Sequence, residues 1–283
     1  MITQSDIADC PVVESCVNYL GDMDELPVFY AEKYDQNNLN LIEHSIQVHD
    51  ARLIRDQVSL DQFGFKLYDH VSAVSDFCDP EEVQQVYLPE IKTFIKALTG
   101  GGMVLVTGPV LRWSERSSQA GILINSRPGR FVHVDYSRQS FNEFARMHLE
   151  NAGVEENEID DRLKRRYVAY NIWRVMTPPP QDIPLCVCSA TSTATEDVVT
   201  GEAVIDAEGQ PELRFGSSLY RYNPDHVWFY FSNMTRDEAL VFKAFDSDLD
   251  QIQGCPHSAF NDPTCPANAE PRASIEVRAY VYF

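Results

Sequence analysis

The pattern of apolar and polar positions divides the chain near residue 167. Before that point, residues 45–54 and 63–71 show the alternation of strands, and 103–108 is a short apolar run typical of a buried strand. Residues 80–102 instead repeat apolar side chains at helical spacing and end in three glycines, which predicts a helix that stops there. The helical repeat consists of Val83, Val86, Ile91, Phe94, Ile95 and Leu98.

Two further helices are predicted at 140–153 and 155–166, the first opened by a capping box of Ser140 and Glu143. From Tyr167 onward, β-branched and aromatic runs alternate with Pro, Gly, Asn and Asp, which predicts successive short strands. No linker rich in Pro, Gly or Ser interrupts the chain, so we expect one domain, 1–283, with a β-barrel or sandwich core and helices packed outside. In this interpretation residues 1–102 pack on a core formed by 103–283, which carries a helical insertion at about 140–166.

Composition narrows the classes of function. The 283 residues carry a formal charge of −20, and Lys and Arg are not clustered, which argues against a nucleic-acid partner. No apolar run approaches the length of a membrane span, and no targeting signal is recognisable. The seven cysteines are scattered and expected to be reduced, and we therefore expect a cytoplasmic protein. No glycine-rich phosphate loop or G-x-S-x-G motif occurs.

The segment FVHVDYS brings two chemically active residues to one strand face. His133 and Asp135 alternate with Val132, Val134 and Tyr136, so the imidazole and the carboxylate point the same way in a regular strand. Such a pair can occupy adjacent positions on a ferrous ion, and a second histidine would complete a facial triad. Taken alone, H-x-D is more often an ordinary hydrogen-bonded pair, so the metal interpretation needs further ligands.

A second histidine and a possible carboxylate-binding pair lie near the end of the chain. His257 follows His133 by 124 residues, and Arg272 and Ser274 share one face of the last predicted strand. A guanidinium beside a hydroxyl is well suited to a carboxylate ligand. His226 is a rival to His257 as the distal metal ligand. Two arginines, Arg278 and Arg174, compete with Arg272 for the carboxylate.

The order of H-x-D, strands, a second His and R-x-S resembles the Fe(II)/2-oxoglutarate-dependent oxygenases. More narrowly, YLPEIKTFIKALTG, RFVHVDYS, YNIWRV, PHSAFNDP and PRASIEVRA look like blocks of the AsaB/CmcJ-like hydroxylase/desaturase family, which occurs largely in specialised-metabolite pathways. The resemblance runs from about residue 48 to the end. It departs at GGGMVLVTGPVLRW, where the family has a more polar F-D-H-T-x-R segment, and at PRASIE, which replaces the commoner PRESIE.

The resemblance implies a mainly β fold, a double-stranded β-helix (jelly-roll, cupin-like) core with flanking helices. It implies Fe(II) bound by His133, Asp135 and His257, with 2-oxoglutarate held by Arg272 and Ser274 and O2 as the second cosubstrate. The activity would be hydroxylation or desaturation of a small molecule with release of succinate and CO2. The alternatives are a metal-binding cupin-like isomerase or hydrolase, and a non-catalytic binding module. Candidate substrate contacts are Tyr136, Asn171, Trp173, His226, Trp228 and, among the aromatic residues, Tyr230.

Overall fold

The computed structural model describes residues 4–114, 124–206, 209 and 211–283. Within these residues, sixteen strands form two sheets. In chain order the strands are β1 (Val12–Leu20), β2 (Val28–Tyr30), β3 (Leu41–Asp50), β4 (Phe65–Asp69), β5 (Met103–Val106), β6 (Val110–Trp113), β7 (Ile124–Ser126), β8 (His133–Val134), β9 (Tyr167–Val175), β10 (Leu185–Cys188), β11 (Val198–Ile205), β12 (Leu213–Tyr220), β13 (Trp228–Tyr230), β14 (Glu238–Asp246), β15 (His257–Ala259) and β16 (Ala273–Tyr282).

The strand order is strongly non-sequential. The larger sheet runs β1-β3-β13-β10-β15-β8-β12-β11-β2, and the smaller runs β4-β14-β9-β16-β6-β7 with β5 also paired to β16. Most neighbours are antiparallel; the parallel pairs are β13 with β3, β11 with β2, and β6 with β7. Strands from the first fifty residues and strands from the last hundred therefore share one sheet.

The helices lie in three regions of the chain. They are α1 (Gln4–Ala8), α2 (Pro80–Glu82), α3 (Leu88–Thr99), α4 (Arg138–Asn151) and α5 (Glu156–Leu163). A π-helical turn, Val83–Tyr87, joins α2 to α3. Pro89 lies in the first turn of α3 and has no N–H to donate to the preceding turn, which is consistent with the loss of regular α-helical bonding there. The predicted stop is confirmed, since Gly100 adopts a left-handed conformation with φ of 70°.

The capping box predicted from Ser140 and Glu143 is wrong. Helix α4 begins one turn earlier, and its cap is Ser137, whose side chain accepts from the backbone N–H of Ser140. Glu143 instead accepts a hydrogen bond from Gln139. The predicted strand at 45–54 also ends early, because the Asp50 side chain accepts from the Arg52 N–H and starts a 3-10 turn. Strands β1, β2, β6, β7 and β15 have no counterpart among the individually predicted strands.

The two faces of the smaller sheet have different partners. Ile172 on β9 and Val277 on β16 face outward and pack in one cluster with Ile91 and Ile95 of α3. Trp173, on the opposite face of β9, packs in a second cluster with side chains of the larger sheet. The inward face of β9 and β16 is thus enclosed between the sheets, and the prediction of a mainly β fold with flanking helices is confirmed. In the part of the chain that the structure describes, no helix combines the length and apolar character needed to cross a membrane.

Candidate active site

Two histidines distant in sequence face each other across neighbouring strands. His133 on β8 and His257 on β15 are direct antiparallel partners, both are buried, and their ring centroids lie 4.4 Å apart. Asp135 follows β8 immediately, with Oδ1 3.8 Å from the Nε2 of His133. One potential ligand atom from each of the three residues lies within 4.8 Å of the other two. The structure therefore brings the three predicted metal ligands together.

Backbone carbonyls orient both imidazoles. Nδ1 of His133 lies 2.8 Å from the carbonyl oxygen of Phe131, and Nδ1 of His257 lies 3.2 Å from that of Cys255. A carbonyl can only accept, so each Nδ1 carries the proton and each Nε2 keeps its lone pair for a metal. Burial lowers the pKa of both histidines, that of His133 to about 4, which favours the neutral form that binds metals.

The carboxylate of Asp135 is held through its other oxygen. Oδ2 accepts hydrogen bonds from Asn171 Nδ2 at 2.6 Å and from Arg278 Nε at 2.9 Å. Arg278 also donates to Glu276 through Nη2 at 2.9 Å. Burial alone would raise the pKa of Asp135, but Arg278 and the two imidazoles outweigh it and hold the pKa well below its usual range.

The donor set fits ferrous iron. Two neutral imidazole nitrogens and one carboxylate oxygen are the ligands of the facial triad of non-haem Fe(II) oxygenases, which leaves positions open for further ligands. Gly129 also contributes to the arrangement, because a Cβ at this position would lie 2.9 Å from Cε1 of His133. Sequence reasoning did not single out Gly129; its position in a turn-forming Pro-Gly pair just before β8 was the available signal.

A cavity connects the histidines with a second site. His133, His257, Trp173, Arg272 and Glu276 all contribute to its wall. The two histidines and Arg272 therefore border the same cavity, as is expected if it holds both a metal and a bound carboxylate.

The guanidinium of Arg272 is buried, and no carboxylate of the described residues forms an ion pair with it. Its Nη1 donates to Ser274 Oγ, its guanidinium carbon lies 5.6 Å from the centre of the Trp173 ring, and its Nε has no hydrogen-bond partner among the described residues. No ion pair among the described residues involves Arg272. Burial, reinforced by the nearby charge of Arg112, lowers the pKa of Arg272 to about 9, despite the opposing effect of Asp182. A carboxylate ligand in the cavity would supply the missing counter-charge.

Arg174 is not brought to this cavity. It lies on the outward face of β9, where its guanidinium donates to the carbonyl oxygen of His70 at 2.8 Å and to that of Arg236. It also contacts Nδ1 of His70 at 2.6 Å. These interactions anchor the segments around His70 and Arg236 to the sheet. Arg278, the other rival for the carboxylate, donates to Asp135 and Glu276 instead.

His226 is likewise remote from the metal group. Its Nδ1 lies 2.9 Å from the hydroxyl of Tyr19 and its Nε2 lies 3.1 Å from Oδ2 of Asp197. Trp228 donates to the same hydroxyl at 3.0 Å, so the two predicted substrate contacts belong to one buried polar network. Tyr230 packs in the same apolar cluster as Trp228.

The remaining predicted substrate contacts are divided between different roles. Trp173 lines the cavity, whereas Asn171 is fully buried and bonded to Asp135. Tyr136 points into the cluster beneath α4, with its ring 5.5 Å from that of Phe144. Two aromatic side chains next to the metal group were not predicted as contacts: the ring of Phe242 lies 4.8 Å from that of His257, and the ring of Phe131 lies 4.9 Å from that of His133.

Two facing sheets with a buried two-histidine, one-carboxylate group define a class, the non-haem iron oxygenases with a double-stranded β-helix core. The profile of a family described as an oxidoreductase/YMDC permease-like domain matches residues 17–282. Hydroxylase/desaturase CTB9 of Cercospora beticola is 30% identical over 84% of this chain and 76% of its own length. Hydroxylase/desaturase asaB of Aspergillus flavus is 32% identical over 62% of this chain and 80% of its own.

The fold comparison agrees with the sequence comparison. A solved structure of the iron and alpha-ketoglutarate-dependent endoperoxidase NvfI, whose sequence is known from Aspergillus novofumigatus, superposes with a TM-score of 0.81. It is 25% identical to this chain and covers 96% of it and 98% of its own length. The chain belongs to the family of Fe(II)/2-oxoglutarate-dependent hydroxylases and desaturases, which use Fe(II), 2-oxoglutarate and O2. The predicted double-stranded β-helix core and family resemblance are confirmed.

Proposed function

We propose that this chain hydroxylates or desaturates a small specialised metabolite while converting 2-oxoglutarate and O2 to succinate and CO2. Iron is bound by His133, Asp135 and His257. Hydroxylation places one oxygen atom of O2 in the product and the other in succinate. In desaturation the substrate loses two hydrogen atoms, and the second oxygen atom leaves as water. Bound Fe(II) supplies the redox chemistry with O2 that either outcome requires.

The observation that carries this proposal is the buried guanidinium of Arg272 in the cavity of the metal group, which forms no ion pair with any carboxylate of the described residues. Arg272 and Ser274 together offer several donors to the distal carboxylate of 2-oxoglutarate, and the charge of Arg272 is already desolvated. A cupin-like isomerase, hydrolase or binding module has no need of a buried, unpaired cation beside its metal. A charge-assisted bond of this kind contributes about 1.5–3 kcal/mol to binding.

The chain's own residues orient the reactants and limit water. Trp173 forms one wall of the cavity, and its ring centre lies 5.6 Å from the guanidinium carbon of Arg272, within the range of a cation–π contact. Next to His133, Phe131 and Phe29 lie with ring centroids 5.0 Å apart and form a partly exposed apolar surface. We assign substrate contact to Phe131 and Phe29, and we keep only Trp173 from the residues predicted for this role.

Anaerobic reconstitution tests the proposal. Addition of Fe(II) and 2-oxoglutarate to the apo protein should produce a weak charge-transfer band at about 500 nm, as expected for this ligand set. Admission of O2 should then give succinate, and the product formed from candidate metabolites identifies hydroxylation, desaturation or endoperoxide formation. Iron binding without the band or succinate would contradict the oxygenase and favour the isomerase or hydrolase.

Two broader expectations remain part of the proposal. We treat residues 1–283 as one catalytic domain, because β1 and β3 share a sheet with β8 and β15.

We also assign the enzyme to the cytoplasm, since all seven cysteines are free thiols, as a reducing compartment favours. Imaging of a fluorescent fusion in the source cell tests the location, and secretion would contradict it.

A further inference from the structure

We propose that Asn171, Glu276 and Arg278 are positioning residues that restrict Asp135 to one metal-binding oxygen. We call these three residues the Asp135 clamp. The inference rests on the proposed function, because it assumes that Asp135 is an iron ligand. It adds a specific role for each clamp residue in keeping coordination positions available to 2-oxoglutarate and O2.

The clamp engages a single carboxylate oxygen. Asn171 and Arg278 both donate to Oδ2, at 2.6 and 2.9 Å, whereas Oδ1 faces Nε2 of His133 at 3.8 Å. Two donors at these distances satisfy Oδ2, so its use by a metal would require the loss of a buried hydrogen bond. Oδ1 is left as the oxygen that faces the histidines.

The clamp connects Asp135, which lies outside the strands, to side chains on two long strands of the smaller sheet. Asp135 follows the two-residue strand β8, whereas Asn171 and Arg278 lie in the middle of the long strands β9 and β16 and are direct cross-strand partners. Asn171 is fully buried, and it is fixed on both sides by sheet hydrogen bonding. The carboxylate is therefore oriented by backbone distant from it in sequence.

Glu276 completes the clamp from the same strand face. Its Oε1 accepts from Arg278 Nη2 at 2.9 Å, so the planar guanidinium is fixed at two points and its Nε is aimed at Asp135.

The clamp affects how many coordination positions remain for 2-oxoglutarate and O2. A ferrous ion bound through one atom of each of the three residues would have three of six positions left, enough for two oxygens of 2-oxoglutarate and for O2. A bidentate Asp135 would occupy one of them. By keeping Oδ2 occupied, the clamp should preserve the third open position.

The test compares Arg278→Met, Asn171→Ala and Arg278→Lys with wild type. Anaerobic competition with a chromophoric chelator gives the Fe(II) Kd, which should rise roughly 10–100-fold in Arg278→Met and less in Asn171→Ala, because partners of metal ligands typically matter to this extent. Arg278→Lys should recover part of the loss through one charge-assisted bond. The visible spectrum of the Co(II) proteins should differ from wild type in Arg278→Met and return toward it in Arg278→Lys.

Arg166→Met is a matched control. Arg166 donates to the buried carboxylate of Asp246 at 2.7 Å, so its removal also breaks an arginine–aspartate pair, but one outside the metal group. It should leave the Fe(II) Kd and the Co(II) spectrum unchanged. If Asn171→Ala and both Arg278 variants, folded by circular dichroism, keep the wild-type Kd and spectrum, the clamp is overturned and the oxygenase stands. Wild type that binds no iron overturns the proposed function itself.

Discussion

Two arginines, one within β16 and one just before it, lie on the same face of the chain in opposite electrostatic situations. Arg278 lies at the metal end, where Asp135 and Glu276 raise its pKa well above the usual value. Arg272, six residues earlier on the same face, has no carboxylate partner among the described residues, and burial lowers its pKa to about 9. A protein tolerates an uncompensated buried cation poorly unless a ligand completes it. The difference separates an arginine that is paired within the protein from one that, in the proposed function, binds the carboxylate of 2-oxoglutarate.

The largest effect that this comparison predicts concerns the metal end. His257→Ala should abolish stoichiometric Fe(II) binding, because it removes one of three ligands, whereas His226→Ala should retain it, since His226 is bonded to Tyr19 and Asp197. His133→Ala and Asp135→Ala should behave as His257→Ala does. Iron content after anaerobic gel filtration is the measurement. Full iron in folded His257→Ala together with its loss in His226→Ala would reverse the assignment of the distal ligand.

The next effect separates the two ends. Arg272→Ala should raise the apparent constant for 2-oxoglutarate roughly 10–100-fold, which corresponds to the loss of a bond worth about 1.5–3 kcal/mol. Fe(II) binding should be retained, because Arg272 is not a ligand. Arg272→Lys should recover only part of the affinity, since an ammonium lacks the planar fork.

Succinate formation titrated against 2-oxoglutarate measures this effect, with Arg174→Lys as the control. Arg174 is held by His70 and Arg236 on the outward face of β9 and should not influence the cosubstrate. An unchanged 2-oxoglutarate dependence in Arg272→Ala, with a large change in the Arg174 variant, would reject the assignment of Arg272.

A smaller effect should be confined to the metal end. Gly129→Ala places a methyl group 2.9 Å from the present position of Cε1 of His133, so the imidazole must shift. We expect the Fe(II) Kd to rise roughly tenfold, in the range seen when the surroundings of a metal ligand are disturbed. Isothermal titration with Fe(II) under anaerobic conditions measures this change. A wild-type Kd would mean that the loop moves instead of the ring.

The smallest effect should be confined to the cosubstrate end. Ser274→Ala removes one neutral hydroxyl and leaves the charge of Arg272 in place, so the constant for 2-oxoglutarate should rise only about 2–10-fold. The Fe(II) Kd should stay at the wild-type value. A loss as large as that of Arg272→Ala would indicate that Ser274 mainly orients the guanidinium instead of contributing a single bond.

Periodicity predicted much of β16 and little of its surroundings. The alternation of Arg272, Ser274, Glu276 and Arg278 with small apolar residues correctly gives one polar face and one packed face. It does not identify which carboxylate Arg278 contacts, because Asp135 lies 143 residues away and comes close only through the sheet. Local pattern determines the face on which a side chain lies, but tertiary pairing determines what it meets.

The same limit explains why the sequence alone left His226 as a rival to His257. His226 and His257 both flank short strand-like segments, and nothing local distinguishes a metal ligand from a member of a hydrogen-bonded network. The pairing of β15 with β8 distinguishes them, and β15 is only three residues long, too short for a clear periodic signal. The capping box was misplaced for a related reason. The Ser140 hydroxyl donates a hydrogen bond to the carbonyl oxygen of Gly216, a contact distant in sequence.

The pairing of His133 with His257 also couples iron binding to local opening. Strands β8 and β15 are joined by a single residue pair, so this seam has little backbone bonding of its own. A metal bound to both histidines links segments 124 residues apart and stabilises the closed seam in proportion to the logarithm of free metal over its Kd. Amide hydrogen exchange at these strands should therefore slow as metal is added. Bound iron would then stabilise the pairing of β8 with β15 in addition to its role in the reaction.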